Sequence, residues 1–286
     1  MNRLPAVILL LSFLFTGCIQ QIAISTVGGI VNDGFGAFTE EQDLDLAEKA
    51  LPSNLKLLEV MLKSDPGNEE ILLLLSQGYN SYALGFVEDH DPERARMLYQ
   101  RGVGYAMRIL REDELFARAF DGRLDDLKSE LAKKGKDDVP AVFWAAFGLG
   151  SYIQLSLTHP EAIADLPKAE MMMKFVVSTD STFYYGGAHV FLGTLYGSRP
   201  KMLGGNVELS RHHFETALRI NGGKFLMTYV YYARSYAVQT LNEALFEELL
   251  ARVNDASLEI LPEFRLANAI AKKKGESLQS RKMELF

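Results

Sequence analysis

The spacing of apolar residues along most of the chain predicts α-helices. From about residue 43 onward, apolar positions recur every three or four residues, as in Leu55, Leu58 and Leu62. This spacing matches the 3.6 residues of a helical turn, so the apolar side chains of each segment share one face. No segment shows the alternation of apolar and polar residues, bounded by turn residues, that is typical of a strand. The sequence therefore predicts an all-α protein.

The helical pattern also repeats in pairs of helices. Small residues at fixed positions let the two helices of a pair approach closely, and large residues fill the space between pairs. The first helices of four such pairs carry Leu72, Leu75, Ser76 and Tyr79; Trp144, Phe147, Gly148 and Ser151; His189, Leu192, Gly193 and Tyr196; and Tyr229, Tyr232, Ala233 and Tyr236. The second helices carry Ala95, Tyr99 and Gly102; Ala169, Met173 and Val176; Ser210, Phe214 and Ala217; and, with a poorer match, Leu245, Leu249 and Arg252. We therefore predict an array of degenerate tetratricopeptide-like hairpins, an α-solenoid, over residues 43–286.

Two pairs carry insertions that are longer than a simple repeat allows. One runs from Gly85 to Pro92, and the other from Gly197 to Asn206, while a polar stretch from Lys133 to Asp138 predicts a long loop between the first two pairs. Irregular insertions on one face of a solenoid often form its binding surface. The candidates for a cavity mouth or a partner contact are Glu88, Asp89, Lys201 and Asn206. The alternative interpretation gives these residues turn and capping roles only.

The first residues of the chain are typical of a secretion signal. Arg3 supplies a positive start, and the apolar run Leu4–Phe15 is too short to span a bilayer as a permanent anchor. Thr16 and Gly17 then precede Cys18, which resembles a bacterial lipobox with Phe15 where Leu is usual. We predict a lipoprotein signal peptide over residues 1–17 and lipidation of Cys18. The alternatives are an ordinary cleaved signal or a buried apolar start with an incidental cysteine.

Residues 18–42 are predicted to be the lipidated tether. Their apolar, glycine-rich composition leaves open that this segment packs against the body, since a solvated linker is usually more polar. Ile19, rather than Asp, follows the cysteine. The sequence therefore predicts a periplasmic protein anchored to the cell envelope by lipid, with the outer membrane favoured.

Charge and cysteine content exclude several classes of function. The formal net charge is −7 and no stretch is dense in Lys or Arg, so a nucleic-acid partner is not expected. Cys18 is the only cysteine, which excludes an intrachain disulfide and a thiolate zinc site. No metal or other cofactor is expected.

No arrangement of residues predicts an active site. In the polar run from Glu88 to Asp91, Asp91 is predicted to cap a helix that begins with Pro92. His189 occupies a repeat core position, and adjacent His212 and His213 point in different directions on a helix, so no shared metal is expected. We therefore predict a binding protein rather than an enzyme.

Longer motifs resemble a known family, the T component associated with TRAP transporters (TatT). They are SQGYNSYA at residues 76–83, GFVED at 85–89, DPERAR at 91–96, WAAFG at 144–148, and PKMLGGN at 200–206 leading into HFE at 213–215. The resemblance covers roughly residues 45–270. It implies a periplasmic lipoprotein that assembles as a homotrimer and works with the solute-binding protein of a TRAP transporter. It also implies an apolar channel through each protomer, and so a hydrophobic ligand.

Candidate ligand-binding residues follow from the geometry of repeat hairpins, whose concave surface is formed mainly by the first helices. Positions offset from the buried stripe are expected to line it. These candidates are Gln77, Asn80, Ser81, Leu149, Tyr152, Thr194 and Arg234. Their mixture of apolar and polar groups suits a hydrophobic or organic-acid ligand. The alternative function is an envelope scaffold that binds protein partners only.

Overall fold

The computed structural model describes residues 36–286, so the predicted signal peptide, Cys18 and most of the predicted tether lie outside the described residues. Within that range every regular element is helical, which confirms the all-α prediction. The α-helices are α1 (Leu44–Ser64), α2 (Glu69–Tyr82), α3 (Pro92–Leu110), α4 (Glu114–Asp121), α5 (Leu124–Leu131), α6 (Val139–Gln154), α7 (Pro160–Ile163), α8 (Leu166–Thr179), α9 (Phe183–Gly197), α10 (Val207–Asn221), α11 (Met227–Tyr231), α12 (Glu243–Asp255), α13 (Arg265–Ser280) and α14 (Lys282–Leu285). Among these helices there is none whose length and apolar character would let it cross a membrane.

Side-chain caps determine where several helices begin. Asp91 accepts a hydrogen bond from the backbone N–H of Arg94 (3.1 Å), and Pro92 is the first residue of α3, as predicted. Asn206 caps α10 in the same way, accepting from the backbone N–H of Leu209 at 3.0 Å. Each cap satisfies an N–H group that has no partner within its helix.

Small residues bring neighbouring helices close together at the predicted positions. Ser76 on α2 donates a hydrogen bond to the carbonyl oxygen of Gly102 on α3 (2.7 Å). Ser210 on α10 donates likewise to the carbonyl oxygen of Gly193 on α9 (2.7 Å). A Cβ atom on Gly102 would lie only 2.6 Å from Oδ1 of Asn80, so a side chain there would push α2 and α3 apart. The paired-helix pattern thus corresponds to real helix contacts.

The segments between the predicted hairpins contain more helix than the sequence pattern suggested. Between α3 and α6, the helices α4 and α5 bury Phe116 and Leu127 in the same core as Trp144. The insertion after α2 begins as a π-helical turn, Ala83–Val87, which extends the helix. The predicted loop at residues 133–138 is short and ends in a 3₁₀ turn, Lys136–Asp138.

The first and last parts of the helical region meet. Helix α13 packs against α1, α11 and α12, and Ala271 shares a hydrophobic core with Leu55 of α1. A Cβ atom on Gly85 would lie 2.7 Å from Cδ1 of Ile270, so α13 also lies against the π-helical turn after α2. The helices therefore surround a central space. The tetratricopeptide-like repeat arrangement itself stays a prediction.

Candidate functional site

A continuous cavity of about 570 Å³ lies among α2, α6, α9, α11 and α13. Helix α9 borders it along one face, through Tyr184, Gly187, Val190, Thr194 and Ser198. These residues are spaced by three or four positions, so the cavity follows the helix for most of its length. The distance from Gly187 to Ser198 corresponds to roughly 16 Å of helix at 1.5 Å per residue.

Helices α6 and α9 run in the same direction along the cavity. A Cβ atom on Gly187 would lie 2.8 Å from Cζ of Phe143, and one on Gly150 would lie 2.3 Å from Cε2 of Phe191. The order of these contacts shows that α6 and α9 are parallel. Their amino-terminal ends therefore lie at one end of the cavity and their carboxyl-terminal ends at the other.

The same direction holds for the segment that contains α11. The ring of Tyr185 at the start of α9 stacks on Phe225 just before α11, with centroids 5.6 Å apart. At the other end of α9, a Cβ atom on Gly197 would lie 3.4 Å from the backbone carbon of Ser235. The segment that contains α11 therefore begins at the same end of the cavity as α6 and α9 and runs toward the same opposite end.

The amino-terminal end of the cavity is aromatic. The ring of Tyr184 lies at the centre of a cluster, with its centroid 4.9 Å from Trp144 and 5.6 Å from Phe143. It also lies 5.5 Å from Phe264 and 5.9 Å from Phe225. Edge-to-face contacts at such distances are favourable beyond the burial of apolar area. This end therefore offers an apolar wall to a ligand.

Left-handed backbone geometry places that central tyrosine. Tyr184, Tyr185 and Gly186 have φ angles of 48°, 58° and 78°, which non-glycine residues seldom adopt. Such residues cost about 1–3 kcal/mol each and persist only where surrounding contacts fix them. Here the side-chain amide of Asn221 donates to the carbonyl oxygen of Tyr185 at 3.2 Å, and the hydroxyl of Tyr185 donates to Glu263 at 3.1 Å.

The carboxyl-terminal end of the cavity is charged. Lys274 of α13 is 8% exposed and lies 2.9 Å from Oε1 of Glu88 and 2.7 Å from Oδ2 of Asp89. The hydroxyl of Tyr99 donates to Oε2 of Glu88 at 2.5 Å. Desolvation, the largest influence, opposes the charge of Lys274, yet the carboxylates outweigh it and the pKa of Lys274 is raised. Arg234 completes this end, with Cζ 4.7 Å from the ring centroid of Tyr231.

The structure brings part of the predicted ligand set together. Gln77, Ser81, Thr194 and Arg234 border the cavity. Asn80 lies outside it and is fully buried, and its side-chain amide donates to the carbonyl oxygen of Trp144 at 3.1 Å. Its position is fixed by the close approach of three helices, since Cβ atoms on Gly102 and Gly148 would both meet its Oδ1 atom within 2.6 Å.

Two other ligand candidates also fall outside the cavity lining. Leu149 and Tyr152 are half-buried on α6, and Tyr152 packs against the core that contains α1 and α2. The residues of α6 that border the cavity are instead Phe143, Trp144, Phe147, Gly150, Ser151, Ile153 and Gln154. The predicted residues of α6 therefore lie on a different face of the helix from the residues that border the cavity.

The four predicted mouth or contact residues divide in the same way. Glu88 and Asp89 border the charged end of the cavity. Lys201 lies in an exposed 3₁₀ turn, Lys201–Leu203, and Asn206 caps α10, so neither borders the cavity. Lys274 and Tyr184 are not among the predicted site residues. Their roles depend on contacts with residues far away in the chain.

A second group of titratable residues lies between α9 and α10. Nδ1 of His189 is 2.9 Å from Nδ1 of His213, while His212 is exposed. Two imidazoles at this distance share one proton between their facing nitrogens, so protonation of both rings is unfavourable. Desolvation and, next, His189 lower the pKa of His213 to about 4, and desolvation also lowers the pKa of His189.

We expect this pair to make the fold sensitive to mild acid. Because the folded-state pKa of His213 is about 4 and its unfolded value about 6.5, the stabilisation is complete above pH 6.5 and decreases as the pH falls toward 4. The loss by pH 5 should be on the order of 1–2 kcal/mol. Urea denaturation at pH 7 and pH 5 measures it. His213→Gln should reduce the difference in the free energy of unfolding between pH 7 and pH 5, and His212→Gln should not. An equal difference in both variants would rule out the His189–His213 pair as the source of the acid sensitivity.

No metal site is found among residues 36–286, since no three His, Cys, Asp or Glu side chains there converge on one point. Comparison with known proteins adds a family relationship. A family model described as "TRAP transporter T-component" matches residues 40–286. A protein from Treponema pallidum (strain Nichols), described as an uncharacterized protein, is 26% identical over 265 residues, which cover 87% of this chain and 82% of that protein.

Proposed function

The chain belongs to the TRAP transporter T-component family, and from this premise we propose that it is an accessory binding protein of a TRAP-type uptake system. In this proposal it holds a hydrophobic or organic-acid ligand and relays it together with a solute-binding protein. It performs no chemical reaction. The family relationship supports the association with a transporter, and the cavity supports the binding of a ligand.

The observation that carries the proposal is the cavity itself. A volume of about 570 Å³ is in the range of pockets that hold small organic molecules. Its walls combine the aromatic cluster around Tyr184 with a few polar groups, among them Gln77, Ser81 and Thr194. A protein that acted only as a scaffold would not need such an interior, because unfilled apolar cavities reduce stability.

The proposal places the protein in the periplasm, held to the envelope by lipid on Cys18 and assembled as a homotrimer. The apolar run before Cys18 and the residues Thr16 and Gly17 support lipidation. Several acyl chains on one cysteine would give firm anchoring, since each buried CH₂ contributes about 0.8 kcal/mol. The series of contacts α2–α3, α3–α6, α6–α8, α8–α9 and α9–α10 supports the tetratricopeptide-like array as the scaffold of the site.

Native mass spectrometry tests this function. The protein beginning at position 18 is purified with Cys18→Ser, so that no lipid is attached and the protein stays soluble. We expect a trimer that releases a bound small molecule on collisional activation, and the mass lost identifies that molecule. A ligand-free monomer would contradict both the trimer and the relay, and would favour the envelope scaffold instead.

A further inference from the structure

Arg234 offers an unused set of hydrogen-bond donors at the charged end of the cavity. The Arg234 side chain borders the cavity and is exposed there, but the protein around it strongly desolvates the guanidinium. Among the described residues its guanidinium makes no hydrogen bond within 3.5 Å and no salt bridge within 4.0 Å, and the centroid of the Tyr231 ring lies 4.7 Å from Cζ. A guanidinium carries five N–H donors in a planar fork that matches a carboxylate.

The nearby carboxylates already have partners. Lys274 lies within 2.9 Å of both Glu88 and Asp89, and Tyr99 donates to the second oxygen of Glu88. The charges of Glu88 and Asp89 balance those of Lys274 and Arg234, and Arg199, which also borders the cavity, adds a further positive charge. Arg234 therefore lacks a hydrogen-bond acceptor, whereas the carboxylates of Glu88 and Asp89 already have a cation beside them.

The other arginine at the cavity, Arg199, is differently engaged. Its Nε donates to the carbonyl oxygen of Leu195 at 2.9 Å. Its Nη1 atom lies 3.7 Å from the place where a Cβ on Gly204 would stand, so the guanidinium is directed toward the turn between α9 and α10. Of the two arginines that border the cavity, Arg234 is thus the one without a hydrogen-bond partner among the described residues.

The opposite end of the cavity has no charged lining residue. This end has an aromatic wall, which is formed by Tyr184, Trp144, Phe143, Phe225 and Phe264. The face of α9 that connects the two ends is mostly apolar, with Val190, Phe191 and Leu195, and Thr194 as its polar member. The cavity therefore changes from apolar to charged along its length.

We propose that the ligand is an amphiphilic monocarboxylate, bound with its carboxylate on Arg234 and its aliphatic tail directed toward Tyr184 and Trp144. This inference rests on the proposed ligand-binding function and specifies the class and the orientation of the ligand. A paired carboxylate satisfies the donors of Arg234, and the tail excludes water from the aromatic wall. Neutral or cationic amphiphiles of the same length exclude water from the aromatic wall in the same way, but they do not supply the carboxylate that pairs with Arg234.

Trp144 provides a direct probe of the orientation, because it is the only tryptophan of the chain and belongs to the aromatic end. A bromine atom quenches indole fluorescence on contact. The Cys18→Ser protein, which has no thiol to alkylate, is titrated with 12-bromododecanoate and with 2-bromododecanoate. We expect strong quenching by the terminal bromine and little by the bromine next to the carboxylate. The reverse order, or equal quenching, would overturn the proposed orientation.

The head-group preference is measured by calorimetric titration with dodecanoate, dodecan-1-ol and dodecylamine. We expect dodecanoate to bind about 10- to 100-fold more tightly than the alcohol, the range for hydrogen bonds to a charged group. Arg234→Gln should abolish this preference, Arg234→Lys should retain part of it, and Arg219→Gln, at an exposed position away from the cavity, should leave it unchanged.

The outcomes separate this inference from the function on which it rests. Equal binding of the acid and the alcohol to the unaltered cavity would overturn the carboxylate preference while leaving ligand binding in place. A preference for the acid that survives in Arg234→Gln would overturn the role of Arg234. Binding of none of the three probes would contradict the ligand-binding function as well.

Discussion

Replacement of Lys274 by methionine should lower the free energy of unfolding by about 3 kcal/mol, because it leaves buried carboxylate charge without its partner. Lys274 is 8% exposed and contacts Glu88 and Asp89 from a helix nearly 190 positions away in the sequence. Removing one partner of a buried ion pair typically costs about 3–5 kcal/mol. The lower end applies here, since the side chain of Asp89 is 57% exposed and Glu88 keeps the hydrogen bond from Tyr99.

Urea denaturation measures this loss against two controls. Lys133→Met removes a pair with Glu130 in which the lysine side chain is 62% exposed and the glutamate side chain 15%, and should cost about 1 kcal/mol or less. The double variant Lys274→Met/Glu88→Gln should recover part of the stability, because it removes one of the unpaired charges together with Lys274. If Lys274→Met were no more harmful than Lys133→Met, the structural role of this ion pair would be refuted.

Phe214→Ala should cost about 3–5 kcal/mol of stability, the range for truncating a buried phenylalanine. Phe214 of α10 is completely buried, and its ring stacks on Tyr232 with centroids 4.7 Å apart. Gly193 of α9 lies so close that a Cβ there would be 3.0 Å from the Phe214 ring. The helices packed around this ring leave little room to collapse, so the vacated space should persist as a cavity.

Two substitutions separate this effect from a general sensitivity of α10. Leu209→Ala lies on the same helix at a 41% exposed position and should change the free energy of unfolding by about 0.5 kcal/mol or less. Phe214→Leu keeps most of the apolar volume and should be intermediate. A cost of Phe214→Ala below about 1 kcal/mol would contradict the packing described for this core.

Local signals made much of the fold predictable from sequence. The helix period, the caps at Asp91 and Asn206, and the small residues at Ser76 and Gly193 all act between residues close in sequence or in neighbouring helices. These interactions leave a periodic trace that can be read without the structure. The same signals placed the buried ring of Phe214 correctly at the centre of a helix pair.

The cavity could be predicted only in part, because its lining depends on how each helix is rotated about its axis. On α2, Gln77 and Ser81 border the cavity, whereas Asn80 lies in the helix contact that the glycines at 102 and 148 allow. On α6 the error in rotation excluded Leu149 and Tyr152 from the lining. A difference of one position on a helix turns a side chain by about 100° and is enough to move it out of a site.

Long-range contacts account for the rest. Lys274 contacts Glu88 from the far end of the chain. Tyr184 joins the aromatic wall through a left-handed turn that no sequence pattern predicted. The run of Tyr184, Tyr185 and Gly186 reads as ordinary helix by composition. Its unusual backbone is fixed by tertiary contacts such as that of Asn221, which is a typical origin of strained residues at functional sites.

The most direct test of the central claim, that this interior binds the transported ligand, is native mass spectrometry of a protein whose cavity is filled. Thr194→Phe places a ring midway along the cavity, and Thr158→Phe makes the same change at an exposed position that does not border it. We expect the parent protein and Thr158→Phe to release the same small molecule on activation, and Thr194→Phe to keep the oligomeric state but carry none. Retention of that molecule at full occupancy by Thr194→Phe would show that the ligand binds elsewhere.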